Sequence, residues 1–89
     1  MMKICLTASG PNKDSSVDPR FGRCQYFAIE DGEKLDVIKN YAWQASRGAG
    51  VAAAQKMVDL GCQVVITGNV GPNAFYALQS TGIKVFTGV

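Results

Sequence analysis

Twice in its second half the chain runs a helix-patterned segment into a glycine and then straight into a short β-branched stretch: "DLGCQVVIT" over 59–67 and "STGIKVFTG" over 80–88. A strand that follows a helix, and a helix that follows a strand, must be joined by crossovers. Crossovers make the strands parallel and are right-handed. The first helical pattern spans Ser46 to Leu60, with Val51, Ala54 and Val58 in one stripe, Met57 beside it, and Gly61 placed to stop it. The second opens at Pro72, a favoured first helical residue, keeps Ala74, Leu78 and Thr81 in line, and ends at Gly82. "CQVVIT" and "IKVFTG" read as the strands that follow them.

The first half supplies three more strands. "KICLTA" (3–8) is β-rich and leads into the polar loop "SGPNKDSSVDPR", where Gly10-Pro11 and Asp18-Pro19 enforce non-helical backbone. "QYFAIE" and "KLDVIKNY" flank Asp31-Gly32, a strong hairpin signal. The predicted order is β-β-β-α-β-α-β, an α/β fold with a five-stranded mixed sheet of order 3-2-1-4-5, its second strand antiparallel. In that order both crossovers step the same way, so both helices fall on one face. By strand parity, Ile4, Leu6, Val64, Ile66 and Val85 share an apolar face, which is predicted to lie under the helices. Cys5, Val65 and Phe86 fall on the mixed face, where self-association or marginal stability is expected.

Eighty-nine residues suffice for one domain, 1–89, with one modest core. A net charge of +2 is too small to argue for nucleic acid or a membrane surface. No apolar run nears the roughly 18 residues of a membrane span, and the N-terminus lacks a signal-peptide core, so a cytoplasmic protein is expected. Three cysteines without a C-x-x-C pair argue against a disulfide framework or a self-sufficient zinc site, and histidine is absent.

Ligands in open α/β sheets gather beyond the carboxyl ends of the parallel strands, where strand order reverses. That rim carries "VDPRFGRCQYF" (17–27) after the first strand and "TGNVGPN" (67–73) after the fourth. The second turn opens a helix whose free N–H groups suit an anion, although its glycines could serve tight turning alone, with Asn69 or Asn73 as a cap. Arg20 and Arg23 are expected on the same rim. They would bias the Cys24 thiol below its ordinary value of about 8.5 and make it the most reactive cysteine. Cys5 and Cys62 fall on opposite faces by parity and read as packing residues. "SRGAGVAAAQ" places Arg47, Gly48 and Gly50 at a further helix start on this rim, its alanines pointing to close helix–sheet packing. The candidate binding residues are Arg20, Arg23, Cys24, Gly68, Asn69, Gly71 and Asn73, with Cys24 the candidate metal ligand.

The "FGR" loop before an aromatic strand, "GAG" at the first helix, and "GNVGPNAFYAL" before "GIKVFTG" together resemble the dinitrogenase iron–molybdenum cofactor biosynthesis family, NifX-like carriers and the NifB C-terminal domain included, from Lys3 to Val89. The resemblance implies a ribonuclease-H-like fold and the binding or carrying of an iron–sulfur cluster or iron–molybdenum cofactor precursor. Family members usually continue into another helix after the "TGV" on which this sequence ends. Histidine ligands of some relatives cannot be carried over, which leaves Cys24 as the protein ligand.

Three functions compete, of which the first is the one expected, the second is set aside and the third is the alternative. The first is a non-enzymatic carrier that receives an anionic cluster from a donor protein and yields it to an acceptor. The second, a nuclease suggested by the fold, needs converging carboxylates. The first strand has none, and Asp14, Asp18, Asp31, Asp36 and Asp59 are scattered. The third is a metal-free anion- or nucleotide-binding regulatory module on the same rim.

Overall fold

The protein is described as a computed structural model in residues 2–12, 14–41, 43–44 and 47–88. Its elements are β1 (Lys3–Ala8), β2 (Tyr26–Asp31), β3 (Lys34–Lys39), α1 (Ala49–Leu60), β4 (Val64–Ile66), α2 (Pro72–Ser80) and β5 (Lys84–Phe86). They form a five-stranded sheet of order β3-β2-β1-β4-β5. β2 runs antiparallel to both neighbours, while β4 lies parallel to β1 and to β5. The predicted α/β architecture and strand order hold. The helix start placed at Ser46 lies outside the described residues.

The face assignment does not hold. The buried core joins Cys5, Phe27, Ile29 and Val65 of the sheet to Ala53, Ala54 and Met57 of α1 and Ala74 and Leu78 of α2. Ile4 and Val64 pair across β1 and β4 and point the other way, as do Leu6 and Ile66. Of the five residues assigned to the helix side, Val85 alone packs against this core. The richer aliphatic face was read as the covered one, but the helices bring small side chains and need large partners only at a few places. Phe27, Met57 and Leu78 fill that space, each fully buried and each contributing roughly 1.5–3 kcal/mol by leaving water.

The stripe expected on α1 is corrected for the same reason. Val51 and Val58 are exposed, and the buried positions are Ala49, Ala53, Ala54 and Met57. Close helix–helix approach explains the choice, since a Cβ on Gly50 would stand 3.1 Å from the Ala74 Cβ. The opposite sheet face carries the half-buried Ile4, Leu6 and Ile66 with the exposed Phe86. Cys5 and Val65, expected there as contacts for self-association, are instead sealed beneath the helices.

Two side-chain devices hold the carboxyl ends of β1 and β4 together. Thr7 and Thr67, both wholly buried, share a hydrogen bond of 2.7 Å between their hydroxyls. The Thr7 hydroxyl also lies 2.6 Å from the Asp18 carbonyl. Buried hydroxyls left without partners would cost about 1–3 kcal/mol each. Among the described residues no buried side-chain nitrogen or oxygen lacks one. The cluster pins the loop after β1 against the end of β4, and the site is built on that junction.

Candidate functional site

The loop after β1 returns along the strand it leaves. Ala8 bridges Val17, and Asp18 N donates to Thr7 O at 2.8 Å. It then joins the loop after β4 through an Arg20–Asn69 bridge. Asn69 N donates to Pro19 O at 2.6 Å and Phe21 N to Asn69 O at 3.0 Å. The two loops therefore meet as the topology demands. Gly68 is required by this contact, since a Cβ there would lie 2.6 Å from the Pro19 Cα. Arg20, Gly68 and Asn69 thus build the junction.

From the junction the chain turns through Gly22, whose φ is 94°, with Cys24 N closing the turn onto Arg20 O at 3.1 Å. Asn40, buried at the end of β3, braces it: its amide donates to Gly22 O at 3.0 Å and Cys24 O at 2.8 Å. The turn delivers Phe21 and Arg23 to a cavity of about 250 Å³ whose other walls are the first turns of both helices. Gly48, the N-cap of α1, joins Gly50 and Val51 of that helix, and Gly71, the N-cap of α2, joins Pro72, Asn73 and Ala74.

Among the described residues, neither helix start has a side-chain cap. The first intrahelical bonds are Ala52 N to Gly48 O and Phe75 N to Gly71 O, each at 2.9 Å. The N–H groups before them, from Ala49 to Val51 and at Asn73 and Ala74, stand at the amino ends of two helix dipoles, about half a positive charge apiece. Arg23 adds a full charge at the wall, where one of its guanidinium nitrogens donates to Trp43 O at 3.2 Å. The arrangement favours an anion on three counts, two helix starts and one guanidinium.

Of the residues expected here, Arg23, Gly71 and Asn73 line the cavity. Arg20 does not. Its Nε lies 3.2 Å from an Asp18 carboxylate oxygen, and its side chain leans into solvent with 65% exposed. Cys24 is the larger correction. Its side chain is wholly buried in the core rather than displayed beside the arginines. Burial, with a smaller push from Asp18, carries its thiol up to about 11, contacts with Gly22 and Asn40 offsetting the rise only in part. The expected depressed value is reversed, and a metal ligand at this position would have to be reached through the core. The Asn40 amide nitrogen 4.0 Å from the sulfur occupies its polar side.

Two outcomes are expected from this burial. Alkylation of Cys24 in the folded protein at neutral pH should be far slower than in the unfolded chain, as read by mass spectrometry. Because the folded-state value is raised, folding favours the neutral thiol. The stability it contributes is fully present below the unfolded value near 9 and should be lost as pH climbs through about 11, checked by denaturant titration across that window.

The walls supplied by α1 were missed as site residues. Their signal was the Gly48–Gly50 pair at a helix start following the third strand, set aside because the alanines beyond it account for packing. Both uses are real: Gly50 approaches Ala74 and also opens the cavity.

The profile of the family described as dinitrogenase iron–molybdenum cofactor matches residues 2–89. The chain belongs to this family. An uncharacterised protein of Methanocaldococcus jannaschii is 33% identical over 97% of the chain and 74% of that protein's length. Among solved structures, the apo form of the orange protein from Desulfovibrio gigas is 46% identical with a TM-score of 0.89, covering 96% of this chain and 73% of that one. An NMR structure of a proposed NifB protein from Thermotoga is 36% identical with a TM-score of 0.81, covering 96% and 74%. The fold is shared with these neighbours throughout the matched region.

Proposed function

We propose that this member of the family is a non-enzymatic carrier of an anionic iron–sulfur species of the iron–molybdenum cofactor precursor type, held non-covalently between the two helix starts. The observation that carries this reading is the convergence of two uncapped helix N-termini and Arg23 on one cavity. Among the described residues, no three histidine, cysteine or carboxylate side chains gather as metal ligands. The cargo therefore brings its own sulfide ligands and meets the protein through backbone N–H donors. Such hydrogen bonds to a charged acceptor are worth roughly 1.5–3 kcal/mol each. No coordinate bond to a protein side chain has to break when the cargo is passed to an acceptor, and that suits transfer.

The metal-free reading shares the cavity and is favoured by the same absence of thiolate. A nucleotide is the weaker guest, because sites for ligands of that size usually enclose about 300–1,000 Å³. Anaerobic reconstitution with iron and sulfide, followed by gel filtration and absorption spectroscopy, separates the readings. Visible absorption should co-elute with the protein, fall as salt is raised, and survive in Cys24→Ala. Loss of the colour in Cys24→Ala would restore a thiolate ligand. Binding of inorganic phosphate without any retained iron would favour the metal-free module.

A further inference from the structure

Two cysteines that the carrier reading does not use meet at the other end of the sheet from the cavity. Cys5 stands in β1 on the helix-covered face, and Cys62 directly follows the Gly61 cap of α1. Parity along the fourth strand had set them on opposite faces. β4 begins only at Val64, however, so Cys62 sits in the preceding turn and obeys no strand parity. The ladder draws the two together: Ile4 pairs with Val64, and Gln63 N donates to Lys3 O at 2.9 Å. Both side chains belong to one buried cluster, Cys5 with 0% of its surface exposed and Cys62 at the rim with 5%. Each thiol is the strongest influence on the other, raising Cys5 well above its ordinary value and lowering Cys62. Lys3, whose ammonium donates to Leu60 O at 2.8 Å and lies 3.9 Å from Asp31, also favours the Cys62 thiolate.

We propose that Cys5 and Cys62 form a reversible thiol–disulfide pair whose oxidant is a peroxide. Cys62, at the rim and beside Lys3, is the attacking sulfur, and the enclosed Cys5 resolves. The Cys62 thiolate attacks one oxygen of hydrogen peroxide, the O–O bond breaks, the departing hydroxide takes up the proton Cys62 released on ionising and leaves as water, and Cys62 carries S–OH. Cys5 then attacks the Cys62 sulfur, giving its proton to the departing oxygen. The S–O bond breaks, water leaves, and the S–S bond forms. One peroxide is reduced to two waters as two thiols lose two electrons between them. The bridge ties β1 to the carboxyl end of α1, far from the cavity at its amino end.

Treating the purified chain with hydrogen peroxide and mapping peptides under non-reducing conditions tests the pair. The expected result is the loss of two free thiols per chain, a Cys5–Cys62 linked peptide, a free Cys24, and full reversal by dithiothreitol. In Cys5→Ala the reaction should stop at Cys62 sulfenic acid, trapped by dimedone, and in Cys62→Ala Cys5 should stay reduced. Should either variant fail to fold, the map of the unaltered chain decides. A bridge to Cys24, retention of all three thiols, or passage of Cys62 to the sulfinic acid without bridging overturns the proposal.

Discussion

Replacing Gly22 by alanine is expected to destabilise the protein by about 2–4 kcal/mol, the sum of a left-handed conformation imposed on an L-residue and a steric clash. Gly22 has φ 94°, and a Cβ there would lie 2.7 Å from the Cα and 2.8 Å from the nitrogen of Gly50. Both contacts are backbone, so no rotamer change relieves them. Either the turn or the start of α1 must move, and both line the cavity. For a domain of this size the loss corresponds to a fall of roughly 10–25 °C in Tm, readable by thermal denaturation. Gly48 supplies the control. It has φ 78° but nothing within 4 Å of a built Cβ, so Gly48→Ala should suffer only the conformational cost, about 1–2 kcal/mol. Equal effects at the two glycines would show that the close approach of the turn to α1 has no energetic weight.

The second large effect concerns binding. Arg23→Gln should weaken retention of the reconstituted iron–sulfide species roughly 10- to 150-fold, the equivalent of one charged hydrogen bond. Arg20→Gln should change it by less than about threefold, because Arg20 is neutralised by Asp18 and faces solvent outside the cavity. The Arg23 variant also forgoes the bond to Trp43 O, so its Tm must be followed in parallel. A binding loss with Tm nearly unchanged assigns the effect to the cavity. Dependence on Arg20 rather than Arg23 would move the anion to the outer rim and displace the site proposed above.

How legible the molecule is in its sequence varies with the kind of interaction involved. Element order and sheet order rest on local signals: Gly61 and Gly82 stop helices, Asp31-Gly32 makes a hairpin, and two crossovers of one hand permit few arrangements. Each acts within a few residues, and each reappears in the structure. The convergence of the loops after β1 and β4 follows from that order, so Arg23, Gly71 and Asn73 could be placed at one rim from sequence alone.

Which face the helices cover was a different matter. Both faces of β1 and β4 carry apolar residues, and the decision lies in how closely α1 and α2 can approach one another and the sheet. Gly50 and Ala74 let them come near, so the modest Cys5 and Val65 are buried while Ile4 and Leu6 are not. The cysteines show the same limit. Reactivity was assigned to Cys24 from the charges beside it in the chain, but burial raises its thiol, and Arg20 spends its charge on Asp18. Cys62 gains its character from Cys5 and Lys3, neighbours only after β1 and β4 have paired. The sequence by itself thus determined the elements, their order and the rim where the loops after β1 and β4 converge, because backbone conformation and chain connectivity are local. Tertiary structure alone decided the buried face, the dry thiol and the second wall of the cavity, because burial and electrostatic potential depend on atoms that the chain brings together from far apart.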